Sequence, residues 1–310
     1  LSQGEVERLY HLMARLKAQN VTTLYVSHRM PEIYKLCDTI TVLRDGHHVV
    51  TAAAADLDEA AMVQAMIGRK LEVYHPAYLA KDPGPEMLRV SGLSSPGKFQ
   101  DVSLSVHAGE VVGLAGLVGA GRSEVAQALF GLDPDSRGQI FLDGKPVDVR
   151  DPVVAMAFGI GLVPEDRKRH GLILGLSGRE NVTLPTLHGP TLSKGPFIRG
   201  TEERALTEQF FRALRVRSPH IEFLVAGLSG GNQQKIVLAK WLAAKCRLLL
   251  LDDPTRGVDV GAKAELYRLI HQLCDEGLGV IVTSSELPEL LTLADRILVL
   301  CEGRLTGEFS

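Results

Sequence analysis

Gly116-Leu117-Val118-Gly119-Ala120-Gly121-Arg122-Ser123 decides the fold. It follows a continuous apolar run, Glu110-Val111-Val112-Gly113-Leu114-Ala115, and leads into a helix candidate over Ser123 to Phe130. A buried strand, a glycine-rich turn and a helix start form a receptor for phosphate. Closely spaced glycines let backbone N–H groups converge on an anion, and the helix N-terminus adds partial positive charge. The candidate phosphate-facing residues are Gly116, Gly119, Ala120, Gly121, Arg122, Ser123 and Glu124, with the Ser123 hydroxyl as a ligand for Mg²⁺. The spacing is G-x4-G-K-[S/T] with Arg122 in place of lysine. A planar fork is not equivalent to a point charge on a flexible stem, although it keeps a positive charge near the phosphates.

Roughly 130 residues further on, Leu248-Leu249-Leu250-Leu251-Asp252-Asp253 reads as a buried strand ending in two carboxylates. Asp252 sits where such a strand holds Mg²⁺, and Asp253 where a carboxylate orients an attacking water. A glutamate is expected at the second position. Aspartate falls short by roughly 1.5 Å, and a misplacement of about 1 Å can cost about 10²-fold in rate. Asp252 is expected at the end of a strand adjacent to the one that feeds the glycine-rich turn.

Further helix candidates cover Thr201 to Leu214, Gly231 to Ala244 and Ala262 to Glu276, and further strands cover Val102 to Val106, Arg247 to Leu251 and Gly279 to Thr283. Strands alternating with helices imply an α/β fold whose mostly parallel sheet is covered on both faces.

Leu228-Ser229-Gly230-Gly231-Asn232-Gln233-Gln234-Lys235 is a second glycine-containing turn opening an apolar-periodic helix. Ser229 can cap that helix, and the same geometry can receive an anion.

An internal repeat divides the chain. Val26-Ser27-His28-Arg29-Met30-Pro31-Glu32 matches Thr283-Ser284-Ser285-Glu286-Leu287-Pro288-Glu289 at an offset of 257, and that offset also pairs Tyr10 with Tyr267 and Asp38 with Asp295. Residues 1–70 therefore read as the C-terminal remnant of one module, 71–86 as a Pro- and Gly-containing linker, and 87–310 as a second module. The remnant is expected to pack poorly without its missing half, and truncation is inferred at both ends.

Composition bounds the function. A formal charge of −3 opposes a nucleic-acid partner. Cys37, Cys246, Cys274 and Cys301 form no C-x-x-C pair, which suits reduced thiols. No apolar run reaches the roughly 18 residues of a membrane span.

Taken together, these motifs resemble the ATP-binding subunits of bacterial ABC importers, in particular the monosaccharide class with two cassettes fused in one polypeptide. Leu228 to Lys235 looks like the signature, Asp252 to Asp259 like the second-cassette Walker B and D-loop, and Pro164-Glu165-Asp166-Arg167-Lys168 like that class's Q-loop. The resemblance implies a P-loop NTPase cassette with a mostly parallel central sheet, an antiparallel β portion and an inserted helical subdomain over about 170–245. It implies ATP and Mg²⁺ as cofactors. It further implies membrane permease subunits as partners, and through them a periplasmic or extracellular solute-binding protein. The place implied is the cytoplasmic face of the cell membrane.

In such cassettes each ATP lies between the phosphate loop of one and the signature of the other. Ser229, Gly230, Gly231 and Gln233 would then contact ATP held by the missing part of the first cassette or by a second copy, and His28 would be that cassette's switch histidine. The second site departs at Arg122, Asp253, Glu165 and Ser285, where lysine, glutamate, glutamine and the switch histidine are usual. It reads as holding nucleotide and hydrolysing it poorly. Gly171 to Leu174 and Asn181 to Leu184 are expected to face the permease. Two alternatives stand beside this: a non-hydrolysing regulatory or relic cassette, and a soluble non-transport ABC protein.

Overall fold

A computed structural model describes residues 3–27, 30–44, 46–67 and 84–309. They fall into two compact units divided between residues 74 and 75, with 259–261 grouped with the first. The expected linker, 71–86, lies outside the described residues except for 84–86. There Gly84 already donates to the Ala108 carbonyl at 3.2 Å and Glu86 begins a strand, slightly ahead of the expected start at Met87.

In the first unit, α1 (Gln3–Ala18) and α2 (Met30–Leu36) precede an antiparallel hairpin of β1 (Thr39–Arg44) and β2 (His47–Ala53), followed by α3 (Glu59–Ile67). Asp58 caps α3 by accepting from the Ala61 amide at 2.7 Å. A small core of Met30, Ile33, Ile40, Val42, Leu57, Met62 and Val63 joins α2, the hairpin and α3. Residues 21–27 join no sheet among the described residues, and Leu24 and Val26 are 91% and 87% exposed. Their repeat partners in the second unit, Ile281 and Thr283, are buried in a central strand. Without flanking strands the same pattern has neither ladder bonds nor apolar cover. Amides 22–26 are therefore expected to exchange with deuterium at least about 10³-fold faster than amides 280–283. Equal protection of the two segments would refute this reading of the first unit.

The second unit opens with β3 (Glu86–Ser95), β4 (Phe99–His107), β5 (Val111–Ala115), α4 (Arg122–Leu129), β6 (Arg137–Leu142), β7 (Lys145–Val147), α5 (Pro152–Ala157) and β8 (Ile160–Val163). After a π-type turn at Arg167–Gly171 come α6 (Gly178–Thr183), the short hairpin β9 (Ser193–Lys194) and β10 (Phe197–Ile198), α7 (Gly200–Ala213) and α8 (Gly230–Ala243). The chain then returns through β11 (Leu248–Asp252), α9 (Val260–Asp275), β12 (Gly279–Thr283), α10 (Leu287–Leu293), β13 (Arg296–Cys301) and β14 (Arg304–Phe309).

The main sheet has the order β14-β13-β5-β12-β11-β8, parallel except for the β13–β14 pair. Every residue of β5, β8, β11 and β12 is buried, as continuous apolar runs require when helices cover both faces. A second, antiparallel sheet runs β4-β3-β6-β7, and the alternation in β4 marks a strand with one covered face. The helical insertion lies between β8 and β11. Its first helix, α6, starts with a reciprocal capping box of Ser177 and Glu180.

One expectation fails: β11 is not adjacent to β5, because β12 lies between them. Chain order does not set spatial order in a sheet built through crossovers. Ser123 still reaches Asp252, since it sits at the start of the helix after β5 and Asp252 at the end of β11. Among the described residues no helix is long and apolar enough to cross a membrane, and the four cysteines are unbridged.

Candidate functional site

β5 carries the chain into the glycine-rich turn. At Gly116 a Cβ would lie 2.5 Å from the Leu300 carbonyl and 2.9 Å from the Ala120 Cβ, so only a hydrogen fits. Gly119 adopts φ +83°, in the left-handed region. From below, Gly303 donates to the Ala120 carbonyl at 3.0 Å, while Leu117 and Val118 stand exposed at the apex. Gly121 is the N-cap of α4, and Ser123 and Glu124 lie partly buried in its first turn. The turn therefore ends on a helix N-terminus, as phosphate binding requires.

The Ser123 hydroxyl donates to Asp252 Oδ1 at 2.8 Å, and the Thr283 hydroxyl donates to the same oxygen at 2.6 Å. Burial pushes the Asp252 carboxyl above its ordinary value, opposed by these two hydrogen bonds and by Arg122. Two hard oxygen donors at the mouth of a glycine-rich turn suit a small divalent cation such as Mg²⁺. Thr283 was not singled out from sequence, although a polar residue closing the apolar run Gly279–Val282 was a usable signal.

Arg122 and Asp253 each have a partner outside the turn. Arg122 is buried, and Nη1 of its guanidinium donates to the Ser284 carbonyl, which leaves further donors of the fork for a phosphate. Asp253 holds φ +42°, a conformation that aspartate tolerates better than most residues. Its Oδ1 accepts from the Ser285 amide at 2.8 Å and the Ser285 hydroxyl at 3.3 Å. One carboxylate oxygen is thus held by the segment after β12, which fixes how the other is turned. Sequence could not foresee this, because the partner lies 32 residues away.

A second cluster forms where α8 begins. Ser229 is its N-cap and accepts from the Asn232 carboxamide at 2.9 Å. The buried Arg167 donates to the carbonyls of Arg256 (2.6 Å) and Gly257 (3.1 Å), and its Nη2 would lie 2.6 Å from a Cβ at Gly230. Burial lowers the Arg167 pKa. Glu165 pairs with Arg256 instead of standing free at the mouth of the turn.

Gln233, expected to face nucleotide, is instead 2% exposed and donates to the Val225 carbonyl at 3.0 Å. One step past Asn232 the helix has rotated that side chain into the core. Asn181, Val182 and Thr183 are likewise interior, with the Asn181 carboxamide bonded to both backbone groups of Ile173. Gly171 and Leu172 are buried too, and Ile173 and Leu184 are the exposed positions of the two stretches expected to face a permease, with Leu174 partly buried. His28 lies outside the described residues.

Arg167 was missed as an organising residue because its partners are backbone carbonyls. Arg167→Ala is expected to cost about 1–3 kcal/mol, seen as a fall of about 2–4 °C in melting temperature per kcal/mol. Arg167→Lys should restore less than half of that, since one ammonium does not replace a fork spanning two carbonyls. Unchanged melting of Arg167→Ala would refute the assignment.

Residues 99–256 match the family model described as ABC transporter. The ribose import ATP-binding protein RbsA of Oceanobacillus iheyensis is 43% identical over 310 residues, covering 99% of this chain and 62% of its own length. The putative ribose/galactose/methyl galactoside import ATP-binding protein 1 of Rhizobium etli is 44% identical over 310 residues, covering 100% of this chain and 59% of its own length. The chain thus spans about three fifths of these relatives. Among solved structures, a dimeric bacterial ABC transporter cassette superposes with a TM-score of 0.61 at 23% identity, over 72% of this chain and 97% of that one. An ATP-binding cassette of an ABC transporter in its ADP conformation gives a TM-score of 0.61 at 20% identity, over 72% and 90%.

Proposed function

This chain belongs to the ABC transporter family, and from that premise we propose that it is part of an ATP-hydrolysing subunit that drives import of a monosaccharide or related small polar solute. The observation that carries the nucleotide reading is the Ser123–Asp252 contact at the mouth of the Gly116–Ser123 turn. In this reading the turn's amides and the start of α4 receive the β- and γ-phosphates of ATP. Ser123 and Asp252 would hold Mg²⁺, which would neutralise charge developing on those phosphates. Thr283 keeps the Asp252 carboxylate aimed at that place.

The division of labour follows from what each cluster is free to do. Ser229 is exposed at a helix start and can offer amides to a phosphate brought by another cassette. In the longer polypeptide that cassette is the first one; a second copy of this chain is the other source. At the local site, by contrast, the shorter Asp253 stands where glutamate is usual and gives one oxygen to Ser285, so nucleotide is held there and hydrolysed slowly. Permease subunits, a solute-binding protein reached through them and a peripheral place on the cytoplasmic face complete the proposal. It is supported by the import functions in the names of relatives at 43% and 44% identity. No nucleic-acid partner is included, in keeping with the formal charge of −3.

A titration of this chain with ATP tests the core of the proposal. Saturable binding should weaken at least about tenfold when EDTA replaces Mg²⁺, and Asp252→Asn should remove most of that difference. Binding indifferent to both changes would overturn it.

A further inference from the structure

Glu289 lies in the first turn of α10, is 3% exposed, and has no part in the chemistry above. The Ser284 hydroxyl donates to its Oε2 at 2.5 Å, and the Glu286 amide donates to the Ser284 oxygen at 3.0 Å. Burial pushes the Glu289 carboxyl up, and hydrogen bonds from Ser284 and Thr255 pull the other way. Ser284 is also the residue whose carbonyl receives the Arg122 guanidinium, and the next amide, that of Ser285, is the one given to Asp253. One buried carboxyl thus anchors a three-residue segment that holds two of the site's atypical groups, Arg122 and Asp253.

The internal repeat supplies an independent observation. At the offset of 257, Ser284 and Glu289 fall on Ser27 and Glu32. In the first unit Glu32 is 6% exposed and accepts from the Ser27 hydroxyl at 3.3 Å and the Tyr25 hydroxyl at 2.6 Å. Both glutamates follow a proline at the start of a short helix, Pro31 and Pro288. The position directly after the serine differs, His28 in one copy and Ser285 in the other. Burying a carboxyl is costly, and an apolar side chain of similar volume would usually serve packing as well or better. Its retention in both copies, even where the histidine is gone, indicates a specific task.

We propose that Glu289 is a positioning residue of the nucleotide site: it pins Ser284, and so fixes the carbonyl that orients Arg122 and the amide that engages Asp253. Glu32 pins Ser27 in the same way. The proposal rests on the nucleotide reading given above.

Hydrogen exchange and MgATP titration of this chain, wild type and variants, provide the test. Without nucleotide, Glu289→Ala and Ser284→Ala should each speed exchange of amides 285 and 286 about tenfold, with amides 280–282 unchanged. Glu289→Gln keeps an acceptor for Ser284 and should stay within about twofold of wild type. Half-saturation by MgATP should weaken about fivefold in Glu289→Ala and under about twofold in Glu289→Gln, because Arg122 loses its fixed orientation in the first and keeps it in the second. Faster exchange throughout the domain, or unchanged MgATP affinity in a folded Glu289→Ala, would reduce Glu289 to a packing residue. If Glu289→Ala does not fold, normal local exchange in Ser284→Ala overturns the proposal. A wild type that binds no MgATP refutes the nucleotide reading separately, since the exchange comparison uses no nucleotide.

Discussion

If the proposed function holds, replacing Ser229 with arginine in the longer polypeptide, assayed with permease subunits, is expected to lower ATP turnover by about 10²–10³-fold. Asp253→Ala, by contrast, should lower it by less than about threefold. The asymmetry follows from the two geometries. Ser229 is exposed at the start of α8, where a long cation would occupy the space that the proposed arrangement gives to a partner cassette's phosphate. Asp253 is a methylene shorter than the usual glutamate and gives Oδ1 to the Ser285 amide and hydroxyl, so the water-orienting capacity left to lose is small. Ser229→Ala separates folding from function, since loss of a cap costs about 1 kcal/mol without adding bulk. Equal losses in Ser229→Arg and Asp253→Ala, at equal assembly, would show that the local site turns over as well.

The second large effect lies within the glycine-rich turn. Gly116→Val is expected to destabilise the second unit by about 3 kcal/mol or more, a fall of about 6–12 °C in melting temperature, and to abolish MgATP binding. Its Cβ alone would lie 2.5 Å from the Leu300 carbonyl, a backbone atom that cannot step aside without moving β13. Gly119→Ala is the control. Its φ of +83° makes a side chain costly by about 1–2 kcal/mol, but nothing lies within 4 Å of the new Cβ. Calorimetry of the two variants checks this, and similar melting temperatures would mean the turn relaxes as a whole.

The local features of the chain are legible in its residues alone. The glycine-rich turn, the acidic strand end, the α8 start and the repeat are patterns in which spacing implies geometry, because a strand-to-helix turn brings its own neighbours together. Four fully buried strands, β5, β8, β11 and β12, lie side by side with β13 in the covered parallel sheet. Three of them stand out by composition, whereas the four-residue β8 is too short a run to do so.

What the sequence determined by itself is therefore the fold class, the glycine-rich strand-to-helix turn, the two carboxylates and the departures at Arg122, Glu165, Asp253 and Ser285. What only tertiary structure decided is where those side chains are spent. Arg122 turns to a carbonyl 162 residues away, Asp253 to an amide 32 residues away, and Glu165 to Arg256. Gln233 turns into the core, and β12 separates the two strands that deliver Ser123 and Asp252. The physical reason is common to all of these. Each side chain carries donors or acceptors that must be satisfied once buried or half-buried, and their partners are backbone groups or charges made neighbours by crossovers that no residue spacing encodes.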